Sequence, residues 1–174
     1  MRQQITSIMK RIFLILICGL IALSACQKSG ANLFRGDYSF KTSGSITAQR
    51  LFASEPAEFD ITLNNEIGQL QIASLDKKKD SLIVVMNYMN DEVIVTHAYC
   101  KGQNIIFKDF KRSSLKISVD GNIDVLCEVN VKANGMMYDD NTLILNMTYN
   151  GVAGVGLLKY KLYGDDIKTV ATRN

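Results

Sequence analysis

The sequence has no tryptophan, one proline (Pro56) and one histidine (His97). With a single histidine, any Ser-His-Asp or Cys-His arrangement would depend on that residue alone, and no Gly-x-Ser-x-Gly elbow accompanies it. A zinc site built on His97 needs a further nitrogen or sulfur ligand, and Cys100, three residues along a strand, points to the opposite face. The stretch Asp120-Gly121-Asn122-Ile123-Asp124 opens like a calcium loop, but Val125 stands where that loop needs glycine and Val131 where it needs its closing glutamate. The glycines of Asn150 to Gly156 follow a strand pattern without a helix or a Lys-Ser/Thr pair after them, so they read as a hairpin or bulge rather than a phosphate loop. No catalytic residue, metal ligand or cofactor is assigned. The apolar run Ile12 to Leu23 holds 12 residues, too few for a hydrocarbon core that asks for about 20.

That run has the length of a signal-peptide core and follows Arg2, Lys10 and Arg11 with no acidic residue among them. Leu23-Ser24-Ala25-Cys26 comes next, and it resembles the lipobox of bacterial lipoproteins at all four positions. The resemblance implies cleavage before Cys26 and lipid attachment to its thiol, which makes residues 1–25 a signal peptide and joins the mature chain to a membrane. Lipoproteins carried to the cell surface in the Bacteroidetes tend to have an acidic run after the cysteine, and none is present; Gln27 is not the aspartate of inner-membrane retention. The resemblance therefore implies an outer-membrane anchor facing the periplasm. Removing residues 1–25 takes away three basic residues and leaves 17 of each sign, so no nucleic-acid partner is indicated.

Residues 26–35 read as the lipidated cysteine and a polar tether, and residues 36–174 as a single β domain. From Gly36 onward the period is 2: Phe59, Ile61 and Leu63 alternate with polar residues, as do Leu115 and Ile117, Val125 to Ala133, Leu143 to Tyr149, and Leu158 to Leu162. Turn chemistry falls between runs at Asn64-Asn65, Asp76 to Ser81, Asn90-Asp91, Lys101-Gly102, Asp120 to Asn122, Asp139 to Asn141, Asn150-Gly151 and Gly164-Asp165. About ten short strands follow from this count. Leu51 to Glu58 reads as a loop or short helix, and Lys77-Lys78-Lys79 as a hairpin tip that could touch anionic headgroups. The expected fold is all-β, an antiparallel up-and-down barrel, with a two-sheet sandwich as the alternative.

Gly36-Asp37-Tyr38 at the head of the first strand is similar to the Gly-x-Trp opening of lipocalins, with tyrosine for tryptophan. Together with the lipobox, the short tether and the meander, it resembles the lipocalin-like (calycin-like) lipoproteins of Bacteroidetes over residues 36–164. That resemblance implies architecture and little function. Inward positions rich in tyrosine and methionine (Met86, Tyr88, Met147, Tyr149 and Tyr160) are the candidate lining for a small apolar or amphiphilic ligand, set against their reading as plain core. The alternative partner is an outer-membrane protein assembly, docked through Leu82 to Met89, which is apolar on both faces. Cys100 and Cys127 are an even pair in an oxidising compartment, which permits either one disulfide or two buried thiols.

Overall fold

In the computed structural model the described residues are 30–52, 58–75, 80–119, 123–155 and 158–174. The proposed signal peptide, Cys26, Pro56, the lysines 77–79, the turn Asp120 to Asn122 and Gly156 lie outside them. A one-turn helix, α1 (Ala31–Phe34), precedes nine strands: β1 (Gly36–Leu51), β2 (Glu58–Ser74), β3 (Ser81–Tyr88), β4 (Val93–Lys101), β5 (Asn104–Phe107), β6 (Phe110–Val119), β7 (Ile123–Met137), β8 (Thr142–Val155) and β9 (Leu158–Arg173).

All neighbours are antiparallel, in the order β5-β4-β3-β2-β1-β9-β8-β7-β6, and a further β5–β7 pairing closes the ring. Both β5 and β6 run along β7, β5 against Asn134–Met136 and β6 against Ile123–Val131. They act as one wall strand broken at Lys108-Asp109, so the barrel counts eight strands. The up-and-down barrel reading holds and the sandwich does not: every consecutive pair is a hairpin neighbour, and the ends of the sheet meet.

The alternation in the sequence is the alternation of the wall. On β4 exposed and buried residues follow each other without exception from Val93 to Lys101. Inward side chains from all strands make one core, with Tyr38, Ile46, Leu70, Val84, Met86, Val129, Leu145 and Leu162 at 0% exposure.

Three turn assignments are corrected. Asn64-Asn65, Asn150-Gly151 and Gly164-Asp165 lie inside β2, β8 and β9. The first falls opposite a register shift between Thr42 and Gly44, and the third opposite one between Met147 and Tyr149. Both are β-bulges, which use the same residue types as turns and let a long strand bend around a barrel. Gly151 has a packing reason instead, since a Cβ there would overlap the Glu128 carbonyl.

The tether assignment for residues 26–35 is corrected in part. Ala31 and Phe34 are buried, at 5% and 0% exposure, because apolar residues beside a barrel mouth gain more by covering it than by staying in water. Tyr38 Oη donates to the Phe34 carbonyl at 2.8 Å. Arg173 Nη2 donates to Tyr38 Oη at 2.7 Å and to the Leu33 carbonyl at 2.9 Å, with its guanidinium 5.2 Å from the Tyr38 ring centre. The domain therefore takes in residues 30–35, and α1 covers one barrel end.

Candidate functional site: a buried ionic layer at an incomplete seam

The strands differ in length, and the difference leaves part of the wall unpaired. β3 has 8 residues and β2 has 17, so β3 pairs with Gly68–Ser74 of β2 only. From Glu58 to Glu66, β2 has a ladder partner in β1 alone, and β6 has one in β7 alone, among the described residues. Away from α1, β2 and β6 thus share no backbone ladder among the described residues. The β3–β4 turn, Met89 to Glu92, sits where that ladder is missing.

Arg112 occupies the same level. It lies on β6 at 0% exposure, and all five of its N–H donors are used. Nη1 donates to Glu66 Oε2 at 2.7 Å and to Tyr149 Oη at 2.9 Å. Nη2 donates to Glu66 Oε1 at 3.1 Å and to Glu92 Oε2 at 2.9 Å, and Nε to Glu92 Oε2 at 3.0 Å. The guanidinium also lies 4.0 Å from the centre of the Tyr88 ring. Burial works against its charge, but the surroundings outweigh burial and hold it above its ordinary value. Tyr88, Tyr149 and the hydrogen-bonded Glu66 carboxylate are what outweigh it.

Glu92 does a second job. Its Oε1 accepts from the backbone N–H of Ser113 at 3.0 Å and of Ser114 at 3.2 Å, the two residues bulged out of the β6–β7 ladder between Arg112 and Leu115. With Asn90 Nδ2 donating to the Ser114 carbonyl at 3.2 Å, side chains of the β3–β4 turn replace the missing backbone ladder. The layer of Glu66, Tyr88, Glu92, Arg112 and Tyr149 ties together β2, β3, β6 and β8 where hydrogen-bonded strands do not.

Met86, Tyr88, Met147, Tyr149 and Tyr160 all point inward, at 0%, 5%, 1%, 0% and 2% exposure, but they divide into two groups. Tyr88 and Tyr149 belong to the ionic layer, and burial raises the pKa of both. The Met147 sulfur accepts from Tyr149 Oη at 3.9 Å and from Thr169 Oγ1 at 3.6 Å, so it is packed beneath that layer. Met86 lies on β3, whose inward residues are buried from Leu82 to Tyr88. Tyr160 stands apart, on β9 in the half where that ladder is missing, edge-on to Phe59 of β2 at 5.7 Å. Its buried hydroxyl has no hydrogen-bond partner among the described residues. Sequence reasoning missed Arg112, Glu66 and Glu92; the one available signal was the Ser113-Ser114 pair interrupting the alternation between Phe110 and Leu115.

Cys100 and Cys127 are free, buried thiols. Their pairing is excluded by register. Cys100 faces Ile105, which faces Gly135 of β7, and Cys127 lies eight positions before Gly135 on that strand, roughly 26 Å away at 3.3 Å per residue. A disulfide needs Cα atoms within about 7 Å. Burial pushes both thiols up to about 11. Alkylation at pH 8 without reductant should therefore leave the folded protein unlabelled and modify both cysteines on unfolding; one disulfide per molecule would contradict the register. Because the folded protein favours the protonated thiols, their contribution to stability is present below pH 9 and is lost as pH rises from 9 to about 11.

No family model matches the chain, and no curated protein does. Among solved structures, a redesigned β-barrel is similar over 83% of this chain and 95% of its own, at 14% identity and a TM-score of 0.35. The barrel assignment rests on the pairing of the strands described above.

Proposed function

We propose that the protein is a lipid-anchored, non-enzymatic binding barrel, held at the periplasmic face of an outer membrane through Cys26. In this reading the half-barrel beyond Arg112 takes up a small apolar or amphiphilic molecule. The signal-like N-terminus and Leu23-Ser24-Ala25-Cys26 support the anchor. Gly36-Asp37-Tyr38, with Tyr38 buried at the lidded end, is in keeping with a lipocalin-like barrel.

The observation that carries the binding reading is that, among the described residues, β2 from Glu58 to Glu66 and β6 share no ladder, beside an apolar interior in which the buried Tyr160 hydroxyl meets no hydrogen-bond partner. A buried polar group without a partner costs free energy unless something meets it, and a ligand head group entering between β2 and β6 would do so. Phe59, half-buried on β2 and edge-on to Tyr160, marks the entrance in this reading. The α1 end, covered by Phe34 and tied by Arg173, is the closed end.

The test is uptake of a fluorescent fatty-acid or lysophospholipid probe by residues 27–174. Saturable binding is expected, with Tyr160→Phe weakening it by about 1 kcal/mol, roughly fivefold, through loss of one hydrogen bond. Absence of saturable uptake would leave the interior as a packed core. A second reading, an accessory subunit of an outer-membrane assembly, is favoured by the exposed apolar residues Val93 and Val95 on β4.

A further inference from the structure

The outer face of β3 and β4 is poor in charge and carries exposed apolar residues. Its outward residues are Ser81, Ile83, Val85, Asn87, Val93, Val95, His97, Tyr99 and Lys101, and of these Lys101, at the end of β4, alone is charged. Val93 and Val95 are each 60% exposed and Tyr99 50%. Val95 stands opposite Val85, and His97 opposite Ile83, so the row on β4 broadens across two strands. On the far side of the ring β9 presents Lys159, Lys161, Asp165, Asp166 and Lys168 outward.

The chain enters the barrel at the foot of this row. α1 crosses the barrel end toward the β2–β3 connection, where a Cβ on Gly30 would lie 3.2 Å from Asp80 Oδ1. Asp80 adjoins Ser81, which pairs with Tyr99, and the Asp80 carbonyl accepts from Cys100 N at 2.8 Å. Cys26 is four residues upstream of Gly30, a reach of at most about 14 Å. An anchor on so short a lead cannot hold the barrel clear of the surface; it presses whatever lies beside Gly30 against it.

From that coincidence we propose that the β3–β4 face rests on the bilayer that receives the Cys26 lipid, with Val93, Val95 and Tyr99 in the interfacial layer. The inference rests on the lipid-anchor reading. Tyrosine favours the membrane interface, where its ring is dry and its hydroxyl wet, and apolar contact of this kind strengthens a single lipid anchor that is reversible alone. Met89, 74% exposed at the tip of the β3–β4 hairpin, extends the face toward the stretch where β2 and β6 share no ladder. The entrance would then lie close to the surface from which an amphiphile comes.

The chain has no native tryptophan, so single substitutions report alone. Full-length, lipidated Val95→Trp and Tyr99→Trp would be reconstituted into phosphatidylethanolamine–phosphatidylglycerol vesicles carrying brominated acyl chains. Val170→Trp serves as reference, on β9 four strands from β4 around the ring. Both β4 reporters should shift to the blue and lose most of their emission to bromine, and the Val170 reporter should do neither. Vesicle flotation with unquenched, water-exposed β4 reporters would overturn the surface while leaving the anchor intact. A blue shift without quenching would mean that protein, a second copy, covers the face, which also overturns it. Failure of the wild type to float would remove the anchor and the proposal together.

Discussion

Arg112→Met is expected to lower the unfolding free energy by about 3 to 5 kcal/mol, the usual cost of removing one partner of a buried ion pair. The methionine fills similar volume, so the loss is chiefly electrostatic: Glu92, with a side chain 5% exposed, would be left buried without its cation. Glu66 is 21% exposed and can turn toward water, so it suffers less. The comparison with Glu92→Ala separates the two jobs of the layer. Glu92→Ala leaves Arg112 with Glu66 but strips the acceptor from the Ser113 and Ser114 amides, whose desolvation cost persists. Because Glu66 can turn toward water, adding Glu66→Gln to Arg112→Met should change stability little, and adding Glu92→Ala should not restore it either, since relief of the buried carboxylate is offset by the stripped Ser113 and Ser114 amides. Urea unfolding of the four variants measures this. A loss under about 1 kcal/mol for Arg112→Met would mean that the seam is held by something else.

Phe34→Ala should cost about 3 to 5 kcal/mol, although the residue stands in a segment that looks like a tether. Its ring is 0% exposed, and its carbonyl receives the Tyr38 hydroxyl that Arg173 also binds. If residues 27–35 were only a polar leash, the substitution would fall within about 0.5 kcal/mol of neutral. Thermal or urea unfolding of residues 27–174 decides between them. A near-neutral result would detach α1 from the fold and reopen the lidded end.

The barrel was legible because its wall is simple. Strands such as Val93–Lys101 and the middle of β7 alternate without a break, and a meander with tight hairpins at Asn90-Asp91, Lys101-Gly102 and Asp139 to Asn141 can hardly do other than curl. What stayed hidden came from bulges. A bulge adds one residue to one strand and reverses the parity beyond it. Read backward from Leu115 and Ile117, strict alternation places Arg112 in water, while the bulge at Ser113-Ser114 turns it into the core. Asn64-Asn65 and Gly164-Asp165 failed for the same reason, since asparagine and glycine mark a bulge as readily as a turn. Long-range register decided the cysteines: Cys100 and Cys127 are inward on their own strands, and only the β4–β5–β7 pairing reveals that they sit far apart along the barrel. Glu66 and Glu92 had no local signal, being a mid-strand and a turn carboxylate brought together by closure of the ring.

The central claim is an anchored barrel that carries an amphiphile, and the most direct measurement is native mass spectrometry of the lipidated protein purified from its host membranes. The expected mass is that of a chain beginning at Cys26 with added acyl groups, plus one apolar or amphiphilic molecule that dissociates on denaturation and is diminished in Tyr160→Phe. A chain that retains residues 1–25, or a mature chain with no bound molecule in membranes where its ligand should be at hand, would contradict it.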